Sequence, residues 1–161
     1  MSFYQLLIPD TPIGALGLVA DDQALQQLRF LGAAPAMAAG DSNPILELAA
    51  EEVGAYFAGT LRHFSVPLAP KGTAFQLAVW AQLSLIPYGE TRSYGDIARA
   101  LGQPGASRAV GLANNRNPLP LIVPCHRVIG ADGSLVGFGG GLAIKQQLLA
   151  LENPGPQLDL F

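Results

Sequence analysis

The chain has 161 residues, half of them hydrophobic, with one cysteine, two histidines and a formal net charge of −3. That is ample material for one ordinary domain or two small ones, and disorder is not the expectation. One cysteine excludes an internal disulfide, and with only His63 and His126 to accompany it the chain falls short of a structural zinc set; no metal or other cofactor is expected.

The first third alternates apolar and polar residues in three pieces, FYQLLI, ALGLVA and LQQLRFL, separated by Pro9-Asp10, Pro12, Gly14 and Asp21-Asp22. These predict three short strands. An Ala/Gly/Pro-rich connection runs from Gly32 to Gly40, and Ser42-Asn43-Pro44 then sets a cap and a proline at a helix start. Ile45, Leu48, Ala49, Val53, Tyr56 and Phe57 form its predicted apolar stripe, up to Gly59. A fourth strand, HFSVPL, would complete a βββαβ unit ending near residue 70, and no catalytic cluster appears in it.

The second unit begins with Thr73 as a cap, followed by a helix with Phe75, Val79, Leu83 and Ile86 at helical spacing and Pro87 as its stop. In SYGDIARALG, Ser93 and Asp96 have capping-box spacing, Ile97, Ala98 and Leu101 give a buried face, and Gly102 closes the helix. ASRAVGLANNRN reads as a further helix after a tight turn, so the pair has a helix-turn-helix pattern. Ala106, Ala109, Val110, Gly111 and Ala113 leave Arg108 as the one long side chain in its first half. Such a slim helix either packs closely on a neighbour or approaches something narrow, such as the DNA minor groove, about 6 Å wide.

LPLIV then predicts a short buried extended segment, Asp132-Gly133 a hairpin turn between RVIG and LVGF, and Gly139-Gly140-Gly141 the entry to a last helix with Ile144, Leu148 and Leu151 on one stripe. The tail, 154–161, reads as a loose terminus whose apolar end could dock on a partner. No apolar run approaches the roughly 18–20 residues of a membrane helix, and MSFYQLLIPD lacks signal-peptide character, so a cytoplasmic protein with no membrane partner is expected. Charge divides along the chain. Residues 1–70 carry two bases against seven acids, whereas 71–153 carry seven bases against four acids, an excess that can meet phosphates.

Cys125 directly precedes His126, and a base within reach, or one water away, can turn a thiol into a thiolate. Glu152 lies in the last turn of its helix, where a carboxylate gains nothing from the helix dipole; the position invites a partner, and Glu152 is a candidate to orient the histidine. The alternative for a lone cysteine is a small buried hydrophobe.

The runs GETRSYGDIA, SRAVGLANNRNPLPLIVPCHRV, PCHRVIG and GGLAIKQQLLALE, in this order and spacing, resemble the O6-alkylguanine-DNA alkyltransferases, also called methylated-DNA–protein-cysteine methyltransferases. The resemblance covers about residues 73–153 and implies an α+β chain. Its parts would be a ribonuclease-H-like N-terminal domain over 1–70 and a winged-helix-like alkyltransferase domain over 71–153. It implies direct, stoichiometric and irreversible transfer of an alkyl group from O6 of guanine, with O4 of thymine as an alternative, in a flipped-out nucleotide of double-stranded DNA. The protein would act as a monomer, through the minor groove.

In that resemblance Cys125 is the acceptor, His126 the base acting through a water, Glu152 its orienting carboxylate and Asn117 the residue that ties the preceding turn. Arg108 would enter the stack that the target leaves, and Tyr94 would help rotate the phosphate and contact the flipped base. Ala106, Ala109, Gly111 and Ala113 would let the helix approach, while Tyr94, Val128, Phe138, Gly139 and Gly140 would line the pocket. One departure stands out: the family often carries a tyrosine where this chain has Phe138, losing a donor to the leaving oxygen, although backbone N–H groups at 138–140 remain. A cysteine hydrolase would leave the helix pair without a role, and a non-catalytic lesion sensor would leave the thiol without one.

Overall fold

In the computed structural model the chain divides into two units, Met1–Lys71 and Gly72–Phe161, with residues 2–33, 40–135, 138 and 140–154 described. Most of the Gly32–Gly40 connection, Gly139, and the tail from 155 onward lie outside the described residues.

The three predicted strands form: β1 (Tyr4–Ile8), β2 (Ala15–Ala20) and β3 (Leu25–Gly32) make an antiparallel sheet in the order β1-β2-β3. Leu6 pairs with Leu18, and Leu18 with Leu28, so central β2 carries an apolar row through the sheet. Helix α1 (Pro44–Phe57) starts where Asn43 accepts the Leu46 N–H, with Pro44 in the first turn, where its missing donor costs nothing. Its buried stripe is Leu46, Ala49, Glu52, Val53 and Tyr56, so the predicted stripe is rotated: Ile45 and Leu48 lie on its half-buried flank.

The fourth strand is reduced to one bridge, Leu25 to Leu68, held by Leu25 N–H to Pro67 O (2.8 Å) and Ala69 N–H to Leu25 O (2.9 Å). Pro67 has no N–H to give, and the donors before it are taken by a side chain. The buried Glu52 carboxylate accepts from Ser65 N–H (3.0 Å), Val66 N–H (2.9 Å) and Ser65 Oγ (2.7 Å). A carboxylate thus replaces a strand neighbour.

In the second unit, Thr73 and Gln76 close a reciprocal capping box on α2 (Ala74–Leu83). The helix ends at Leu83 rather than Ile86, because the residue before a proline avoids the α conformation and the N–H groups of Leu85 and Ile86 tighten to bonds three residues back. Ile86 remains buried. Gly72 permits a close approach: a Cβ there would lie 2.5 Å from the Trp80 ring. The Trp80 indole N–H in turn donates to Ala113 O at 2.8 Å, tying α2 to α4 (Ser107–Asn115).

Strand β4 (Arg92–Ser93) leads into α3 (Tyr94–Ala100) through the predicted Ser93–Asp96 box, and Gly102 leaves it at φ +73°. Helices α3 and α4 pack together as the expected pair. A short ladder joins β4 in parallel to β5 (Val128–Ile129), pairing Arg92 with Val128 and Ser93 with Ile129. It holds the start of α3 beside the segment that carries Cys125.

LPLIV is a turn, not an extended segment. Asn117 accepts the Leu119 N–H and donates to Val123 O (2.8 Å), Val123 N–H bonds Leu119 O, and Leu121 sits at φ +75°. The Asp132-Gly133 turn forms, closed by Gly130 N–H to Ser134 O, but 136 and 137 of its expected second strand lie outside the described residues. Helix α5 (Leu142–Glu152) buries Lys145, Leu148, Leu149 and Glu152, whereas Ile144 and Leu151 are half-buried. Among the described residues no helix is long and apolar enough to cross a membrane.

Replacing Glu52 by alanine leaves two backbone donors without their acceptor. Glu52→Ala is expected to lower the stability of the first unit by about 2–3 kcal/mol in urea unfolding, with Glu52→Gln recovering part of the loss; a change below about 0.5 kcal/mol would remove the carboxylate from this role.

Candidate active site

Cys125, His126 and Arg127 form one turn of 3-10 helix between the Asn117 turn and β5, and all three are buried. Burial pushes the Cys125 thiol up to about 11; the Asn117 side chain, the Lys145 charge and the backbone N–H groups of Cys125 and Leu121 act in the opposite direction. Leu121 is buried at a positive φ, a conformation unfavourable for a side chain with Cβ. That strained turn is one of the elements that direct N–H groups at the sulfur.

His126 is fully buried, with Nε2 2.7 Å from Glu152 Oε2. Burial holds the imidazole below its ordinary value, and the Glu152 bond opposes that shift without overcoming it. The ring is therefore neutral at pH 7. A neutral ring facing a carboxylate carries its proton on Nε2, which leaves Nδ1 as an acceptor; Nδ1 has no hydrogen-bond partner among the described residues. Burial raises Glu152, but its bonds to His126 and Arg127 outweigh this and hold the carboxyl at about 2.

Arg127 grips the same carboxylate at both oxygens, Nε to Oε1 at 2.7 Å and Nη2 to Oε2 at 3.0 Å, while Nη1 donates to Ile86 O at 2.8 Å. Its guanidinium also lies over the Tyr88 ring. Lys145 is 0% exposed and donates from Nζ to Val128 O at 2.6 Å. Burial pushes it down to about 8, against the opposite pull of the Cys125 sulfur. Asn114, also buried, donates to Cys125 O at 3.4 Å. Sequence reasoning missed Lys145, Asn114 and Leu121, which carry no pattern of their own. It used Arg127 only as a motif letter, although a base beside the predicted His–carboxylate pair was a usable signal.

The structure brings Asn117, Cys125, His126 and Glu152 into this one cluster. Tyr94, half-buried, is raised by burial first and then by the nearby Cys125 sulfur, so its phenol belongs to the same neighbourhood. Val128 is buried, Phe138 half-buried and Gly140 half-buried in a turn. On α4, Arg108 and Ala109 face solvent and Ala106 is half-buried at the helix start. Gly111 lies against Tyr94, where an added Cβ would stand 3.8 Å from the ring. Ala113 is buried, its carbonyl engaged by Trp80, so it faces the domain interior and not an approaching surface.

Taken together, the class defined is a thiol protein whose buried nucleophile, served by a His–carboxylate pair, sits in a helix-turn-helix domain. The chain belongs to the 6-O-methylguanine DNA methyltransferase family, matching its DNA binding domain over residues 74–154 and its ribonuclease-like domain over residues 2–70. It is 51% identical over 147 residues to the methylated-DNA–protein-cysteine methyltransferase of Methanosarcina acetivorans, covering 89% of this chain and 94% of that one. It is 53% identical over 146 residues to the same-named protein of Mycolicibacterium paratuberculosis, covering 89% and 88%. The crystal structure of Mycobacterium tuberculosis OGT in complex with DNA matches with a TM-score of 0.85 and 48% identity, over 98% of this chain and 99% of that one.

The Glu152 carboxyl is held at about 2, well below the usual carboxylate range. A depressed carboxyl contributes stability that is full above its unfolded pKa and is lost as pH falls toward the folded one. Wild-type stability is thus expected to drop by up to about 3 kcal/mol between pH 5 and 2 from this group. Glu152→Gln should start lower at pH 7, with Arg127 left uncompensated, and show a flatter profile in urea titrations across that range. Parallel profiles would contradict the assignment.

Proposed function

We propose that Cys125 removes an alkyl group, methyl in the simplest case, from O6 of guanine in duplex DNA by direct displacement at the alkyl carbon. The Sγ–C bond forms as the C–O6 bond breaks. The proton lost by sulfur passes to His126 and is returned, through water, to N1 of the departing guanine, so atoms and charge balance with no cofactor. The thioether formed is a poor leaving group, and the single acceptor serves once.

The observation that carries this reading is the buried thiol beside a neutral histidine held 2.7 Å from Glu152, in a chain of this family. A thiol held up at about 11 ionises to only about one part in 10⁴ at pH 7. A base must therefore take the proton during the reaction. His126, neutral with a free acceptor nitrogen, suits that task through a bridging water, and Glu152 stabilises the imidazolium as it forms. The Lys145 charge and the N–H groups of Leu121 and Cys125 favour the transient thiolate.

The alkyl carbon must be approached in line, so the base leaves the stack at a cost of a few kcal/mol. In this reading the α3–α4 pair docks in the minor groove, Arg108 fills the vacated stack and Tyr94 meets the extruded nucleotide beside the sulfur. Ala109 beside Arg108 keeps that face low. The DNA complex of the Mycobacterium tuberculosis relative supports DNA as the partner. We place the protein in the cytoplasm, acting as a monomer.

Intact-protein mass after mixing with excess duplex containing one O6-methylguanine tests the reading. One gain of about 14 Da, mapped to Cys125 and stopping at one per protein, is expected. Cys125→Ser should bind the lesion without gaining mass. No gain on the wild-type protein overturns the proposal.

Phe138 keeps an apolar wall but offers no hydroxyl to the departing O6. Phe138→Tyr is expected to transfer the methyl about 3- to 30-fold faster in single-turnover quench measurements, the range of one added hydrogen bond to a developing charge. An equal or slower rate removes O6 stabilisation from position 138.

A further inference from the structure

Helix α4 turns Val110, Ala113 and Asn114 inward and presents Arg108, Ala109, Leu112 and Asn115 to solvent. In that outward row Leu112 runs against the trend. Its neighbours at 106, 109 and 111 are alanine or glycine, which lets the helix lie close to a surface, yet Leu112 is a full-sized apolar side chain 62% exposed. It follows Arg108 by four residues and Ala109 by three, so all three share one face. A single exposed leucine is commonplace on protein surfaces. This one stands one turn from the arginine that would enter the stack, on the helix face that would meet the groove.

The minor groove has apolar walls formed by deoxyribose C–H faces, and proteins that bend or open it commonly use an apolar side chain to do so. Arginine contributes to such binding through charge, and that contribution weakens with salt. An apolar contact has no comparable salt dependence.

We propose that Leu112 is a specificity-determining residue that packs against the sugar walls beside the Arg108 insertion and favours a groove opened by an extruded nucleotide. The inference rests on the DNA reading above and adds to it a second, uncharged contact. Arg108 supplies the charged probe, and Leu112 adds apolar area that becomes buried only when the groove is wide enough to admit it. Discrimination between damaged and intact duplex follows, because an unopened groove does not accept the branched side chain.

The test uses the full chain in a Cys125→Ser background, so that transfer does not deplete the complex, and a labelled duplex with one O6-methylguanine alongside the unmodified duplex. Leu112→Ser is expected to weaken lesion binding about tenfold and undamaged binding by a smaller factor. The slope of log K against log salt should be unchanged, and Leu112→Met should restore most of the affinity. Leu85→Ser, at a leucine 71% exposed beyond α2, is the control and should alter neither affinity. Thermal melting of each variant reports the fold. Lesion affinity within twofold of the parent, or a loss equal for both duplexes, overturns the proposal. Arg108→Ala separates the two levels: if it weakens binding while Leu112→Ser does not, only the wedge fails; if neither weakens binding and wild type gains no methyl, the DNA reading itself fails.

Discussion

The Glu152 carboxylate receives three hydrogen bonds from two neighbouring residues, His126 and Arg127, in an interior where each alone would be costly to bury. A lone buried carboxylate would protonate, and a lone buried guanidinium would draw in water; together they neutralise each other and remain directional. Arg127 extends the link to the Ile86 carbonyl after α2, and Tyr88 donates to Leu151 O in the last turn of α5 at 3.4 Å. The end of α5, the segment after α2 and the cysteine turn are therefore fixed relative to one another through one charge. The same arrangement decides the state of His126, because Arg127 holds the carboxylate ionised and the histidine can then keep its proton on Nε2, the nitrogen that faces it.

Local patterns made most of the fold legible. Strand alternation, the Asn43-Pro44 start, the Thr73 cap and the Ser93–Asp96 box are short-range chemistry, and each formed where the residues placed it. The misplaced elements were those decided by tertiary partners. HFSVPL has strand composition, but Glu52 from a distant helix turn occupies its donors. LPLIV is apolar enough for a strand, but the Asn117 side chain bonds both ends of the run and folds it back. The α1 stripe was rotated because Glu52, a charged residue, belongs to the buried face, and hydrophobic periodicity has no means of including it.

At the site, the thiol and the histidine were legible because the chain has one cysteine and two histidines, and the carboxylate because it stands in the last turn of a helix, where the dipole does not favour it. Lys145 was not. A lysine within LAIKQQLL looks like the solvent face of an amphipathic helix, and only the packed structure reveals a carbonyl at Val128 that satisfies it and a sulfur that its charge can reach. Ala113 failed in the opposite way: a small residue among small residues suggested an approach surface, whereas its size serves the contact with Trp80. A run of alanine and glycine records closeness to something, and does not say on which side.

Burial of Cys125 sets up an opposition that a one-use acceptor can exploit. Pushed up to about 11, the thiol is a weak nucleophile toward stray electrophiles and oxidants in solution, which react with thiolates. A more exposed, ionised cysteine would react faster with everything, and each unwanted reaction would permanently remove one protein molecule. Protection alone would also slow the wanted reaction, so the counterweights must act at the sulfur without admitting solvent. The half-buried Asn117 amide and the buried Leu121 turn, Lys145 charge and neutral His126 ring meet that condition: each favours the thiolate or, for His126, accepts its proton. In the proposed reaction the missing element is a substrate that fills the pocket and presents its alkyl carbon in line, and the extruded nucleotide supplies it. Under that proposal selectivity resides in the requirement that the electrophile enter the interior, and the proposed docking of the helix pair on DNA would deliver it there.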